Sequence, residues 1–161
     1  MKYKHYHVIG LQRTGTNWLH ATVKENFEVT RKQTFWKHLT PLGQNPNYHN
    51  IHGPLGSLLE LDPDVFYIVT CKNFDAWCQS IKKRRVDFWI SHNFPNSEEK
   101  KTEDIYYAWV KWKNNNINKK NFFYKNYEDW NKNWKTYFSE IEKITGWQKK
   151  YDNYITINKR F

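Results

Sequence analysis

Residues 7–19 read His-Val-Ile-Gly-Leu-Gln-Arg-Thr-Gly-Thr-Asn-Trp-Leu, and this stretch decides the fold. A short apolar strand runs into a polar turn carrying Gly10 and Gly15, and the turn opens an amphipathic helix. Such a junction aims several unpaired backbone N–H groups, and the positive end of a helix dipole, at one point in space. It predicts a phosphate-sized anion site at the end of the first strand.

Gly10 and Gly15 have the G-x-x-x-x-G spacing of a Walker A loop, but Thr16 and Asn17 stand where that loop carries Lys and Ser or Thr. The lysine that reaches terminal phosphates and the hydroxyl that holds magnesium are both missing. Arg13 instead places a fixed positive charge inside the turn, with planar donors suited to an oxyanion. Thr14 and Thr16 add hydroxyls, so the turn reads as an anion loop that works without a metal.

A second segment works outward from the first. Residues 65–71, Val-Phe-Tyr-Ile-Val-Thr-Cys, form the β-branched and aromatic run of a buried parallel strand. Phe74, Trp77, Cys78, Ile81, Phe88 and Trp89 then fall near helical spacing and predict a helix over 74–90. Lys72 sits at the carboxyl end of the strand, where open α/β sheets bind their ligands, and Ser80 follows on the helix.

The remaining pattern predicts a strand at 6–11, a helix at 16–27, a short strand near 33–37 and an irregular loop through 38–55. A short helix near 57–61, a polar connection at 91–101, a helix near 102–118, a strand at 121–125 and a helix at 127–144 complete it. Trp130, Trp134, Tyr137, Phe138, Ile141 and Ile144 form one apolar stripe on that last helix. Strands alternating with helices imply a P-loop-like, three-layer α/β/α fold with a central, mostly parallel β-sheet. No repeat or boundary interrupts residues 1–161, which read as a single domain.

Twenty-six Lys plus Arg against 16 Asp plus Glu leave a formal net charge of +10, a field that draws anions of any kind. Aromatic residues make up 19% of the chain, more than a core alone requires, so the surplus suits an acceptor pocket or a homodimer contact. Cys71 and Cys78 read as small buried residues, not a disulfide or a zinc site. With no signal peptide and no apolar run of about 20 residues, the expectation is a cytoplasmic protein with no membrane contact.

Gln12-Arg13-Thr14-Gly15-Thr16-Asn17-Trp18 resembles the 5′-phosphosulfate loop, P-K-S-G-T-T-W, of the PAPS-dependent sulfotransferases. Gly15, Thr16 and Trp18 match, Arg13 and Thr14 are conservative replacements, and Gln12 and Asn17 depart. The resemblance implies that Arg13, Thr14, Gly15, Thr16 and Asn17 hold the 5′ end of PAPS and that Trp18 packs on the adenine. Lys72 and Ser80 resemble the family's 3′-phosphate pair, a basic residue after a central strand and a serine eight positions on, with lysine where arginine is usual. Lys37-His38-Leu39-Thr40-Pro41 is similar to the family's K-T-H-L-P segment after a one-residue slip, which makes His38 the candidate general base, with His49 and His52 as backups.

Tyr127-Glu128-Asp129 echoes a family segment in which a strand gives way to a helix, and here both acids suit a helix N-terminus. The family's C-terminal R-K-G loop has no counterpart; Lys149, Lys150, Lys159 and Arg160 are the basic residues left for its task. The implied activity is sulfuryl transfer from PAPS, leaving PAP, to a small-molecule or glycan acceptor, with no metal and without nucleic acid as partner. Competing readings are a P-loop kinase of a nucleotide or metabolite, a basic nucleic-acid-binding module, and a PAP-binding protein without catalysis.

Overall fold

In the computed structural model the described residues are 2–11, 13–33, 60–83 and 98–158. They build four strands and four helices: β1 (His5–Ile9), α1 (Thr16–Asn26), β2 (Thr30–Arg31), β3 (Val65–Cys71), α2 (Phe74–Lys83), α3 (Glu98–Asn116), β4 (Phe122–Asn126) and α4 (Tyr127–Thr145). The strands form one sheet in the order β2-β1-β3-β4, and every pairing is parallel. This is the three-layer α/β arrangement that the alternation of strands and helices predicts.

β3 is buried at all seven positions because it lies inside the sheet and is covered on both faces. Alternate residues divide between two cores. Val65, Tyr67, Val69 and Cys71 pack with Trp77 and Ile81 of α2 and with Trp109 and Trp112 of α3. Phe66 and Ile68 turn the other way, toward Leu19 and Val23 of α1 and Trp130, Trp134, Phe138 and Ile141 of α4. The predicted stripe on α4 is thus core, although Tyr137 is half-buried and Ile144 is 40% exposed at its edge.

The chain leaves β1 through α1 on one face of the sheet and leaves β3 through α2 on the other. β1 and β3 are neighbours, level at Ile9 and Val69, so their carboxyl ends flank a topological switch point. β4 ends beside them, with Asn126 level with Cys71. The loops carrying Arg13, Lys72 and Tyr127 therefore leave the same edge of the sheet.

Several boundaries move from the sequence reading. β1 stops at Ile9, because Leu11 turns into the core and its carbonyl accepts the Thr14 hydroxyl at 2.6 Å. β2 is only Thr30–Arg31, paired with His5 and Tyr6; the predicted strand at 33–37 lies almost wholly outside the described residues. α3 begins at Glu98 and not at 102, since Glu98-Glu99-Lys100-Lys101 are good helix formers however polar they are. Glu60 and Leu61 are not helical, and 38–55, 57–59 and 84–90 lie outside the described residues. Cys71 and Cys78 are free thiols.

After α4 the chain returns along α1. Phe27 bridges Lys149, the Asn26 side chain makes both hydrogen bonds to the backbone of Ile155 (2.6 and 3.0 Å), and the Trp18 indole donates to the Ile157 carbonyl at 3.1 Å. Tyr154 of this segment packs on Phe27 and Phe138.

Phe138 is fully buried and its ring meets Phe27, Trp130, Trp134 and Tyr154. Phe138→Ala leaves a cavity among rigid rings and is expected to cost about 3–5 kcal/mol, read as a lower urea midpoint at unchanged m-value.

Candidate anion-binding site

The anion loop is built from inside. Thr14 is fully buried, its hydroxyl held by the Leu11 carbonyl, while its own carbonyl accepts the Thr70 hydroxyl of β3 at 3.0 Å. Gly10 faces the end of β3 so closely that a Cβ there would stand 2.6 Å from the Thr70 carbonyl oxygen and 2.5 Å from the Thr14 hydroxyl. The loop is therefore clamped to the neighbouring strand by hydrogen bonding and by contact.

Arg13 and Gly15 both take left-handed backbone, with φ of 64° and 84°. For arginine that conformation costs free energy, and the surrounding turn holds it in place. The Arg13 Nε is shielded from solvent and has no hydrogen-bond partner among the described residues. A buried guanidinium donor without an acceptor is unfavourable until an anion supplies one.

Gly15 is the residue before α1 and has no side chain with which to cap its first turn, and no acidic residue lies in that turn. The other two helices leaving this edge differ. Asn73 caps α2 through the Ala76 N–H, and Asn126 caps α4 through the Asp129 N–H, both at 2.8 Å. The unoffset end of the α1 dipole sits beside Arg13.

Across the switch point, Lys72 donates to Ser80 at 3.3 Å, so the strand-end lysine and the helix serine meet as their spacing predicts. The Tyr106 hydroxyl donates to the Lys72 carbonyl at 2.8 Å and holds the turn. The Lys72 ammonium lies 4.4 Å from the centre of the Tyr127 ring, whose edge packs on Gly15. Burial lowers the Lys72 pKa, and the nearby Arg13 charge lowers it further, against the opposing pull of Tyr127 and Glu128. Arg13, Gly15, Lys72, Ser80 and Tyr127 are thus one neighbourhood, with two cations that repel each other.

No family model, no curated protein and no solved structure matches this chain. The site is read from its own geometry.

Among the residues named from sequence, Arg13, Gly15, Lys72 and Ser80 come together. Thr14 and Thr16 are buried, at 0% and 3% exposure, so what Thr14 turns toward a ligand is its backbone. Asn17 is exposed in the first turn of α1. Trp18 does not face the crevice: it is 5% exposed, its indole N–H is used by Ile157, and its ring meets the Trp134 ring edge-on. The adenine-packing role that the resemblance implies for Trp18 lacks an open ring face.

Lys149 and Lys150 lie at the far end of α1, beside a cavity of about 590 Å³ lined also by Glu142, Tyr151 and Asp152. Lys150 donates to the Lys24 carbonyl and Lys149 to that of Asp152. The eleven residues of α1 span about 16 Å, which separates both lysines from the anion loop. His38, His49, His52, Lys159 and Arg160 lie outside the described residues. Among the described residues no group of three or more His, Cys, Asp or Glu side chains could hold a metal ion, and no helix is long and apolar enough to cross a membrane.

In the chain Tyr127 is legible only within the Tyr127-Glu128-Asp129 segment and not as a site residue, and neither Thr70 nor the capping Asn73 and Asn126 stand out as one. Asn126, three residues before Asp129, carries a readable N-cap signal. Thr70 interrupts an otherwise apolar run, which marks a hydroxyl with a task.

Two outcomes follow from this geometry. Gly10→Ala, forced against backbone on the neighbouring strand, is expected to lower stability by about 1–3 kcal/mol in urea unfolding. In NMR of ¹³C-methylated lysines, the Lys72 signal, identified by its loss in Lys72→Arg, is expected to titrate below the ordinary lysine value. Arg13→Ala should move that titration back toward the ordinary lysine value, because a repelling charge is gone.

Proposed function

We propose that the protein is a sulfotransferase that moves a sulfuryl group from PAPS to a hydroxyl or amine acceptor. The observation that carries this reading is the grouping of Arg13 and the Gly15 turn with Lys72 and Ser80 at the carboxyl ends of two neighbouring strands. The uncapped α1 turn with Arg13 stands on one side and Lys72 with Ser80 on the other. A ligand with anionic groups at both ends of a ribose suits two such cationic points, and the Arg13 Nε, with no partner among the described residues, suits an oxyanion.

PAPS supplies the sulfuryl group. The Gly15 loop amides and Arg13 hold the phosphosulfate and offset the charge that gathers on the bridging oxygen as its bond to sulfur breaks. Lys72 and Ser80 hold the 3′-phosphate. The acceptor oxygen or nitrogen forms the new bond to sulfur, and its proton passes to His38, the general base in this reading. The acceptor is a small molecule or a glycan, and the reaction belongs to the cytoplasm.

The test is a thermal-shift comparison of PAP, ATP and 5′-AMP at equal concentration, without and with magnesium. PAP is expected to stabilise most, by roughly 2.7 kcal/mol at 100 times its Kd, and Lys72→Ala to remove its advantage. Equal shifts from all three nucleotides overturn the assignment. A larger, magnesium-dependent shift with ATP turns it toward a kinase.

A further inference from the structure

Lys72 is the first residue beyond the paired part of β3, which ends with Cys71 opposite Asn126. It therefore stands outside the ladder, between the strand and the Asn73 cap of α2. A lysine carries its charge on four flexible carbons, so whatever fixes the base of that chain limits where the charge can go.

Tyr106 of α3 supplies that hold from 34 positions away. Its hydroxyl donates to the Lys72 carbonyl at 2.8 Å, and the Cys71 thiol donates to the same oxygen at 3.2 Å. Burial pushes the Tyr106 phenol well above its ordinary pKa, so the hydroxyl keeps the proton it donates. The Tyr106 ring is buried against Phe74 and Trp77 of α2, with centroids 5.2 and 5.5 Å away. Ser80 lies further along that same helix. One side chain thus touches both the backbone that bears Lys72 and the helix that bears Ser80, and those two meet at 3.3 Å. Phenylalanine would fill the same space without burying a polar group. The hydroxyl offsets its burial only through the bond to Lys72.

We propose that Tyr106 is a positioning residue for anion binding at Lys72. Its hydroxyl and ring fix the Lys72 turn against α2, so that the ammonium and the Ser80 hydroxyl converge on one anionic group. Tyr106 acts through Lys72 and not on the ligand itself. The inference rests on the PAPS reading for the identity of that group, the 3′-phosphate, and brings in α3, which that reading does not use.

Calorimetric titration with PAP and with 5′-AMP, which differ only in the 3′-phosphate, tests it. The proteins are wild type, Tyr106→Phe, Lys72→Ala and the double variant, with urea midpoints measured alongside. Tyr106→Phe keeps the ring and loses one hydrogen bond; it is expected to weaken PAP binding about fivefold and to leave 5′-AMP binding unchanged. In the Lys72→Ala background the same substitution is expected to change neither affinity, because nothing remains to be positioned. A merely structural tyrosine would lower the urea midpoint and leave the ratio of the two affinities intact. An unchanged ratio in Tyr106→Phe, or an equal loss of PAP binding with and without Lys72, overturns the role of Tyr106 and leaves the PAPS reading standing. Wild type that binds PAP no better than 5′-AMP overturns both.

Discussion

The parallel pairing of β1 with β3 organises everything built on top of it. Because the two strands are level at Ile9 and Val69, the chain leaves them at nearly the same height, β3 running on only to Cys71. Because α1 and α2 pack on opposite faces, the two departing loops diverge, the arrangement at which open α/β sheets bind their ligands. A slip of one residue in β3 would exchange its two faces, sending Phe66 and Ile68 to the wrong core and carrying Lys72 away from Ser80. Seven buried residues in β3 make that slip costly, so the aromatic core is also what aligns the charges.

The strand ends hold unfavourable groups together: left-handed backbone at Arg13, a solvent-shielded guanidinium nitrogen with no acceptor among the described residues, a helix whose N-cap Gly15 has no side chain, and a lysine whose charge is opposed by burial and by Arg13. Each costs stability on its own. Negative charge would offset the last three, whereas the backbone strain at Arg13 is held by the turn itself. The neighbouring helices show that the protein caps its helices elsewhere on this edge, with Asn73 and Asn126. The local conflict at Arg13 and Gly15 thus coincides with the one helix of the three that begins without a side-chain cap.

Much of this was legible in the chain because it is local. The bounds of β3 follow from an unbroken apolar run, and the stripe from Trp130 to Ile141 names a buried helix face. The Gly10–Gly15 turn and the Lys72–Ser80 spacing likewise declare themselves within a few residues. What escaped depends on distant partners. Trp18 reads as available for a ligand until the Ile157 carbonyl, 139 positions away, takes its N–H. The Thr14 hydroxyl reads as a ligand group until the close approach of the next strand turns it inward. Tyr127 reads as the start of a helix, but its place beside Gly15 does not, since nothing in its own neighbourhood indicates that β4 will end there.

The segment that returns along α1 ties the earliest part of the chain to one made much later. During synthesis the Gly15 turn emerges first, yet its helix gains the Asn26–Ile155 and Trp18–Ile157 bonds only after α4 has left the ribosome. Such long sequence separations slow the closing steps of folding. The Gly15 loop accordingly waits, with one flank of its helix bare, until residues 155–157 have been made.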